Sequence, residues 1–154
     1  LDRATAGDLR TPRTVVFSLD ADATVADATA DPSRWKNTRV PVTDGGELDK
    51  AIGLVHRREV FGAAIEGRKD ETLRDLMHPL PFVPETMRAH ELLNKFLDER
   101  RHMVAVADEY GGFEGVVTLE DVLEEMLGSE IVDEADEFVD MQEAAREQAA
   151  RPEE

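Results

Sequence analysis

Thr118 and Asp121 stand three residues apart in the stretch EGVVTLEDVLEEMLG, shortly after Gly115. If a helix begins between them, its first N–H groups and positive dipole end face outward, which suits a phosphate. The Asp121 carboxylate has two oxygens that can accept both hydroxyls of a ribose. The same spacing also forms a capping box, in which Thr118 and Asp121 bond only to each other's backbone. From this stretch alone the cap is the favoured interpretation, and a nucleotide site stays open.

The elements that position this pair follow from the hydrophobic pattern. Val116 and Val117 suit a strand, and the apolar series 119, 122, 123, 126 and 127 lies on one face of a helix. The same reasoning along the chain predicts strands and helices in two similar sets. The predicted strands are 39–43, 51–55, 103–107 and 115–117, and the predicted helices are 24–31 and 86–100.

The two sets reflect an internal repeat. DL..P at 8–12 matches DL..P at 75–79, RVPVTD at 39–44 matches MVAVAD at 103–108, and IGLV at 52–55 matches EGVV at 114–117. The offset drifts between 62 and 67 residues, as loop insertions would cause. Units of roughly 60 residues bury too little core to be stable alone. We therefore expect an α/β protein of the α+β type, whose two units pair face to face.

Composition limits the classes of function. Thirty-five acidic residues against 18 basic ones give a formal net charge of −17, which argues against nucleic acid as a partner. A salt-adapted surface, a solvated helix face and an acidic patch that gathers cations all fit this excess. The absence of cysteine excludes disulfides and thiolate metal sites. No leader or apolar run long enough to span a membrane is present, and because residue 1 is Leu we expect a piece of a longer protein.

The sequence gives no sign of an enzyme. His56, His78, His90 and His102 show no HExxH spacing, and neither a GxSxG elbow nor a Walker A loop occurs. The glycines of DEYGGFEG lie between two predicted strands, so they indicate a hairpin. A binding or sensing role is the better prediction.

Three stretches carry a family resemblance: RTPR at 10–13, TRVPV at 38–42 and the long block VADEYGGFEGVVTLEDVLEEMLGSEIVDEAD at 106–136. With these motifs the chain resembles a pair of CBS domains (a Bateman module), specifically that of the CNNM/CorC magnesium (cobalt) transporter family. The resemblance implies tandem CBS domains, each a small, mostly antiparallel or mixed sheet with flanking helices, packed as a pseudo-twofold pair. Their expected bounds are 15–70 and 71–130, after an N-terminal segment 1–14 and before an acidic tail 131–154.

The resemblance also implies a site. The family's G-h-h-T/S-x-x-D signature is intact at Gly115, Thr118 and Asp121, whereas the first unit has Gly53, His56 and Glu59 at the matching positions. We therefore expect one occupied cleft, which takes an adenine nucleotide. The implied nucleotide-binding residues are Thr118, Asp121, Thr38, Arg39, Val40, Pro41, Thr11, Arg13 and Val15. Relatives often have an aromatic residue or histidine where this chain has Asn37, so Trp35 is a possible stacking partner.

The expected ligand is ATP with Mg²⁺, bound as Mg-ATP. Arg39, Arg57, Arg58 and Arg13 are candidate partners for phosphate, and Mg²⁺ held by the phosphates themselves would offset further repulsion. No direct metal site is expected on the protein. AMP and ADP, which need fewer countercharges, stay open.

By the same resemblance, the chain is a regulatory module on the cytoplasmic face of the cell membrane. Its expected partners are a second copy, joined through helices, and an N-terminal transmembrane transport domain outside this sequence. In this hypothesis Glu120, Glu124 and Glu125 repel each other across the dimer or near the pocket, and Mg-ATP offsets the repulsion. The rivals are a pair that acts mainly in dimerisation and a divalent-cation buffer built on the acidic stretch 130–140.

Overall fold

The computed structural model describes residues 3–150, and for 129–140, 147, 149 and 150 it describes the backbone alone. Two small sheets organise the chain, one in each half. The strands are β1 Thr11–Pro12, β2 Leu19–Asp20, β3 Arg39–Thr43, β4 Ala51–His56, β5 Phe82–Pro84, β6 Met103–Ala107 and β7 Phe113–Thr118. The α-helices are α1 Ala6–Leu9, α2 Val25–Thr29, α3 Arg57–Ile65, α4 Leu73–Leu76, α5 Ala89–Glu99 and α6 Leu119–Ala150.

The sheets repeat one topology. The order is β2-β3-β4 in the first and β1-β7-β6-β5 in the second. In each sheet an antiparallel hairpin, β3–β4 or β6–β7, has a parallel strand beside its first strand, β2 or β5. The second sheet also has β1, which runs antiparallel to β7. Even the irregularity recurs, since the register shifts between Val42 and Thr43 and again between Val106 and Ala107. The predicted tandem of mixed sheets with flanking helices is confirmed.

Each half is completed by the segment that precedes the other half. Thr11 in β1 pairs with Val116 in β7, and the equivalent bridge in the first half joins His78 to Leu54. The adjoining helices follow the same exchange: α1 packs on the core of the second half, and α4 on the core of the first. The two halves are therefore interlocked rather than merely adjacent.

Three apolar clusters hold the fold together. One lies within each half, around Val40 and Val55 in the first and around Val104 and Val117 in the second. A third cluster joins the halves, with Leu54 from the first and Met103 and Phe113 from the second. The face-to-face pairing expected from unit size is thus present, because buried apolar residues of both halves join in this third cluster, away from water.

The closing helix α6 is longer and less buried than the sequence pattern predicts. Val122 is fully buried, but Leu123 and Leu127 are 39% and 56% exposed, and Leu97 on neighbouring α5 is 60% exposed. The apolar face predicted for α6 was therefore too wide, since Leu123 and Leu127 lie at the edge of the face that meets the core. Within residues 3–150, no helix combines the length and apolarity needed to cross a membrane.

Candidate functional site

A cavity of about 330 Å³ lies where the two halves meet. This volume is within the range of small-molecule sites. It is bounded by the N-terminal segment, strand β3 and the β7–α6 junction, so neither half forms it alone. The lining residues are Thr11, Val15, Val16, Phe17, Asn37, Thr38, Arg39, Pro41, Met103, Val116, Thr118, Glu120 and Asp121. We call this cavity cleft A.

The start of α6 forms one wall of cleft A. The Thr118 hydroxyl accepts from the Asp121 N–H at 3.2 Å, and Asp121 Oδ2 accepts from the Thr118 N–H at 2.9 Å. The predicted capping box is confirmed. The capping box uses only Oδ2 of the Asp121 carboxylate, and it uses the Thr118 hydroxyl only as an acceptor. The Thr118 hydroxyl proton and Asp121 Oδ1 therefore remain for a ligand. Capping and ligand binding are compatible at this pair.

The opposite wall comes from the first half and from the N-terminal segment. Thr38 precedes β3, and Arg39 and Pro41 lie on it. Thr11 is the first residue of the short strand β1, and Val15 follows that strand. Position 11 is held there by the β1–β7 pairing, so the exchange of segments places it beside α6. Of the residues that the sequence resemblance implies, the structure brings together all except Val40 and Arg13.

Val40 and Arg13 lie elsewhere. Val40 is fully buried in the core of the first half, because its side chain points to the opposite face of β3 from Arg39 and Pro41. Arg13 Nη1 donates to Asp49 Oδ1 and to the Phe113 carbonyl, both at 3.0 Å. Asp49 also accepts from the Phe113 N–H at 3.0 Å, which lowers the pKa of its carboxyl, with a further contribution from Arg13. Arg13 thus joins the halves and does not line cleft A.

The aromatic residue beside cleft A is Phe17 and not Trp35. Trp35 is 5% exposed, and its Nε1 donates to the Ala28 carbonyl at 2.8 Å, so it is a core residue. Phe17 packs edge-on against Trp35, with ring centroids 6.3 Å apart, and lines the cleft. No sequence pattern singled out Phe17. Met103 was also missed from the sequence. The repeat could have identified it, because Met103 is the equivalent of Arg39 in the second unit.

Cleft A has little positive charge of its own. Of the residues that line it, Arg39 is the one Lys or Arg, whereas Glu120 and Asp121 are both acidic. Arg57 and Arg58 are not among its lining residues, and Arg57 donates to the Trp35 carbonyl at 3.3 Å. Among the residues described, no group of three or more His, Asp or Glu side chains is placed to hold a metal ion. The acidic stretch 130–140 lies outside the side chains that the structure describes.

A second, smaller cavity of about 200 Å³ occupies the pseudo-symmetric position. It is lined by Arg39, Leu54, His56, Glu59, His78, Pro79, Arg100, Arg101, His102 and Met103, and we call it cleft B. His56 replaces the threonine, and its Nδ1 caps α3 by accepting from the Arg58 N–H at 3.1 Å. Glu59 replaces the aspartate, but its Oε2 lies 2.8 Å from His78 Nε2 instead of closing a capping box. Burial, together with the charges of Arg39 and Arg58, lowers the pKa of His56.

Comparison with known families agrees with this architecture. The CBS domain family model matches residues 73–128. Among curated proteins, the UPF0053 protein sll1254 of Synechocystis is 42% identical over 90% of this chain, and the UPF0053 protein YhdT of Bacillus subtilis is 39% identical over 88%. The chain spans 40% and 30% of the lengths of these two relatives.

Comparison with solved structures narrows the class of CBS-domain protein to which the chain is similar. The CBS domain of the bacterial CNNM/CorC family Mg²⁺ transporter is 33% identical, with a TM-score of 0.77 over 83% of this chain and 78% of that one. The same domain in complex with ATP is 34% identical, with a TM-score of 0.75 over 82% of this chain and 89% of that one. The fold and cleft define a pair of CBS domains. This chain belongs to the CBS-domain modules of the CNNM/CorC transporter family, as the sequence motifs predicted.

Proposed function

We propose that this chain is a cytoplasmic regulatory module that binds an adenine nucleotide, preferably Mg-ATP, in cleft A. In this proposal it acts on a magnesium or other divalent-cation transporter and has no catalytic role. The observation that carries the proposal is the meeting of Thr118 and Asp121 with Thr38, Arg39 and Thr11 around one cavity. A related CBS domain has been solved with ATP, which supports the choice of nucleotide.

Each wall of cleft A has a part in this proposal. The Thr118 hydroxyl and the N-terminus of α6 hold phosphate, and the Asp121 carboxylate accepts the ribose hydroxyls. Val15 and Pro41 provide apolar surface for the adenine, with backbone polar groups near Thr38 and Thr11. Phe17 is an additional candidate for packing against the base.

The charge of the cleft is the reason to prefer Mg-ATP over ATP alone. Glu120 and Asp121 outnumber Arg39, so a free triphosphate would meet net repulsion. Mg²⁺ binds phosphate oxygens and water more readily than an all-protein cage, so it can arrive with the nucleotide. Under this proposal, Mg²⁺ strengthens the binding of ATP more than that of AMP.

Calorimetric titration with ATP, ADP and AMP, each with and without Mg²⁺, tests the proposal. Thr118→Ile should abolish ATP binding, and Thr118→Ser should retain it, because serine keeps both the cap and the hydroxyl. Asp121→Asn also preserves an oxygen for the cap and should weaken binding about 10- to 100-fold through loss of charge-assisted bonds. Thr86→Ile, at an exposed position outside both clefts, is the matched control. Unchanged ATP affinity in Thr118→Ile would contradict a nucleotide site in cleft A.

The proposal includes a second copy of the module. Leu97, Leu123 and Leu127 are exposed along α5 and α6 and offer an apolar surface for it. Glu120 and Glu124 are exposed on α6, so carboxylates would approach each other across or beside such an interface. Mg-ATP would favour one dimer packing by offsetting this repulsion, within the limit of its differential affinity for the two states. Identical sedimentation and scattering with and without Mg-ATP would refute the coupling.

The alternative functions make different predictions. If the pair serves dimerisation alone, or binds AMP or ADP instead, association should persist in Thr118→Ile, and ATP should have no advantage in the titrations. A divalent-cation buffer predicts tight binding of Mg²⁺ without nucleotide. The sensor predicts weak Mg²⁺ binding until ATP is added, so titration with MgCl₂ alone separates these two.

A further inference from the structure

Cleft B has a charge opposite to that of the chain as a whole. The chain has a formal net charge of −17, yet Arg39, Arg100 and Arg101 line this one cavity, together with three histidines. Glu59 is its single carboxylate, and His78 lies 2.8 Å from it. Three arginines around one concave site favour an anion, because a guanidinium group can donate two parallel N–H bonds to an oxyanion.

The backbone beside cleft B is strained. Arg100 ends helix α5 in the left-handed conformation, with φ 54° and ψ 42°. It is the single residue other than glycine with positive φ in the part of the chain that the structure describes. Glycine or asparagine would adopt this conformation at lower cost. The strained turn places Arg100, Arg101 and His102 consecutively along the wall of cleft B. The Arg100 N–H bonds to the Phe96 carbonyl in this turn, so the helix end itself fixes where the Arg100–His102 segment meets cleft B.

The dimensions and lining of cleft B suit a smaller ligand than the one proposed for cleft A. Its volume of about 200 Å³ is below the usual range for sites that enclose drug-sized molecules. His56 and Glu59 provide neither the compact hydroxyl nor the short carboxylate that a nucleoside phosphate would need. We infer that cleft B binds a compact phosphate, as inorganic phosphate or as the phosphate group of a small organic ester. This inference goes beyond nucleotide binding in cleft A and does not depend on it.

Arg39 gives the two clefts a shared residue, since it lines both. A phosphate that engages its guanidinium from cleft B reduces the positive charge available to a nucleotide in cleft A. The two ligands should therefore oppose each other, and by linkage each weakens the other's binding by the same factor. The sequence motifs do not suggest this antagonism, because they imply Arg39 as a residue of the nucleotide-binding cleft alone.

Nuclear magnetic resonance of the ¹⁵N-labelled chain tests the inference, with inorganic phosphate and glycerol 3-phosphate titrated separately at constant ionic strength. We expect saturable amide shifts at residues 100–103 and 54–56 with one or both probes, and the same shifts in Thr118→Ile. Arg101→Gln should weaken binding about tenfold. Arg100→Asn should weaken it similarly without lowering the unfolding temperature, because asparagine tolerates the left-handed backbone. Arg88→Gln, at the opposite end of α5, removes the same charge and should have no effect.

Several results would overturn the inference. Shifts that grow linearly without saturation, or that Arg88→Gln reduces as much as Arg101→Gln, would indicate general electrostatic attraction. Saturable shifts confined to residues 118–121, lost in Thr118→Ile, would place phosphate in cleft A. ATP binding is measured separately with Thr118→Ile. A failed prediction for cleft B can therefore be distinguished from a failed prediction for cleft A.

Discussion

Gly115 is the position where the structure makes its sharpest quantitative prediction. Its φ is +156°, and a Cβ added there would lie 2.1 Å from the carbonyl oxygen of Thr11 on the paired strand β1. Real Cβ atoms essentially never approach a heavy atom within 3.0 Å, so β1 or β7 would have to move by about 0.9 Å. Unfavourable backbone conformation costs about 1–3 kcal/mol. Overpacking adds about 1–3 kcal/mol. We expect Gly115→Ala to destabilise the fold by roughly 4 kcal/mol.

Two other glycines serve as matched controls. Gly53 is the repeat equivalent, where a Cβ would lie 2.8 Å from the His78 carbonyl oxygen and 2.9 Å from Met77 Sδ, without positive φ. Gly53→Ala should therefore cost about 1–3 kcal/mol, from overpacking alone. Gly62 lies in α3 with no heavy atom within 4 Å of the added Cβ, so Gly62→Ala should stabilise the protein by about 0.5–1 kcal/mol.

Urea and thermal unfolding followed by circular dichroism measure this series. For a chain of this size, each kcal/mol shifts Tm by about 2–4 °C, so Gly115→Ala should lower it by roughly 8–16 °C. If Gly115→Ala is as stable as the parent protein, or no less stable than Gly53→Ala, the close pairing of β1 with β7 does not exist in solution. The N-terminal wall of cleft A would then be placed wrongly.

Three further predictions concern other contacts. His56→Asn retains a cap for α3 but removes a histidine whose pKa lies below its ordinary 6.5. The parent protein should lose stability below about pH 6.5, where the unfolded state takes up the proton first, and the substitution should remove part of that loss. Its measure is urea unfolding at pH 7.5 and 5.5. Asp49→Asn should lower stability at pH 7, and the deficit should be smaller at about pH 3. The Phe113 N–H chiefly lowers the pKa of the parent carboxyl below its ordinary 3.8, so the stability that it contributes is lost as the pH falls through that lowered pKa. Paired unfolding curves at the two pH values test this. Trp35→Phe leaves the Ala28 carbonyl without its buried donor and should cost about 1–3 kcal/mol, measured by chemical unfolding.

The candidate site was partly predictable because its motif is local. Thr118 and Asp121 are related by a helix start, and strand β3 was predicted with its observed bounds from apolar alternation. Trp35 shows the limit of prediction from local sequence motifs. Trp35 lies three residues before the TRVPV stretch, and this proximity suggested a place in the cleft. Edge-on packing with Phe61 and the hydrogen bond to the Ala28 carbonyl instead hold Trp35 in the core.

The sequence by itself determined the features that depend on neighbours a few residues apart. These are the repeat, the strand pattern, the cap at Thr118 and the motifs of the CNNM/CorC CBS family, because period and capping geometry are local properties. Tertiary structure alone decided which segment completes which sheet. It also decided that Arg13 bonds to Phe113, 100 residues away, and that Arg39 reaches both clefts. Such contacts depend on how two interlocked halves pack, and no local pattern of side chains encodes that arrangement.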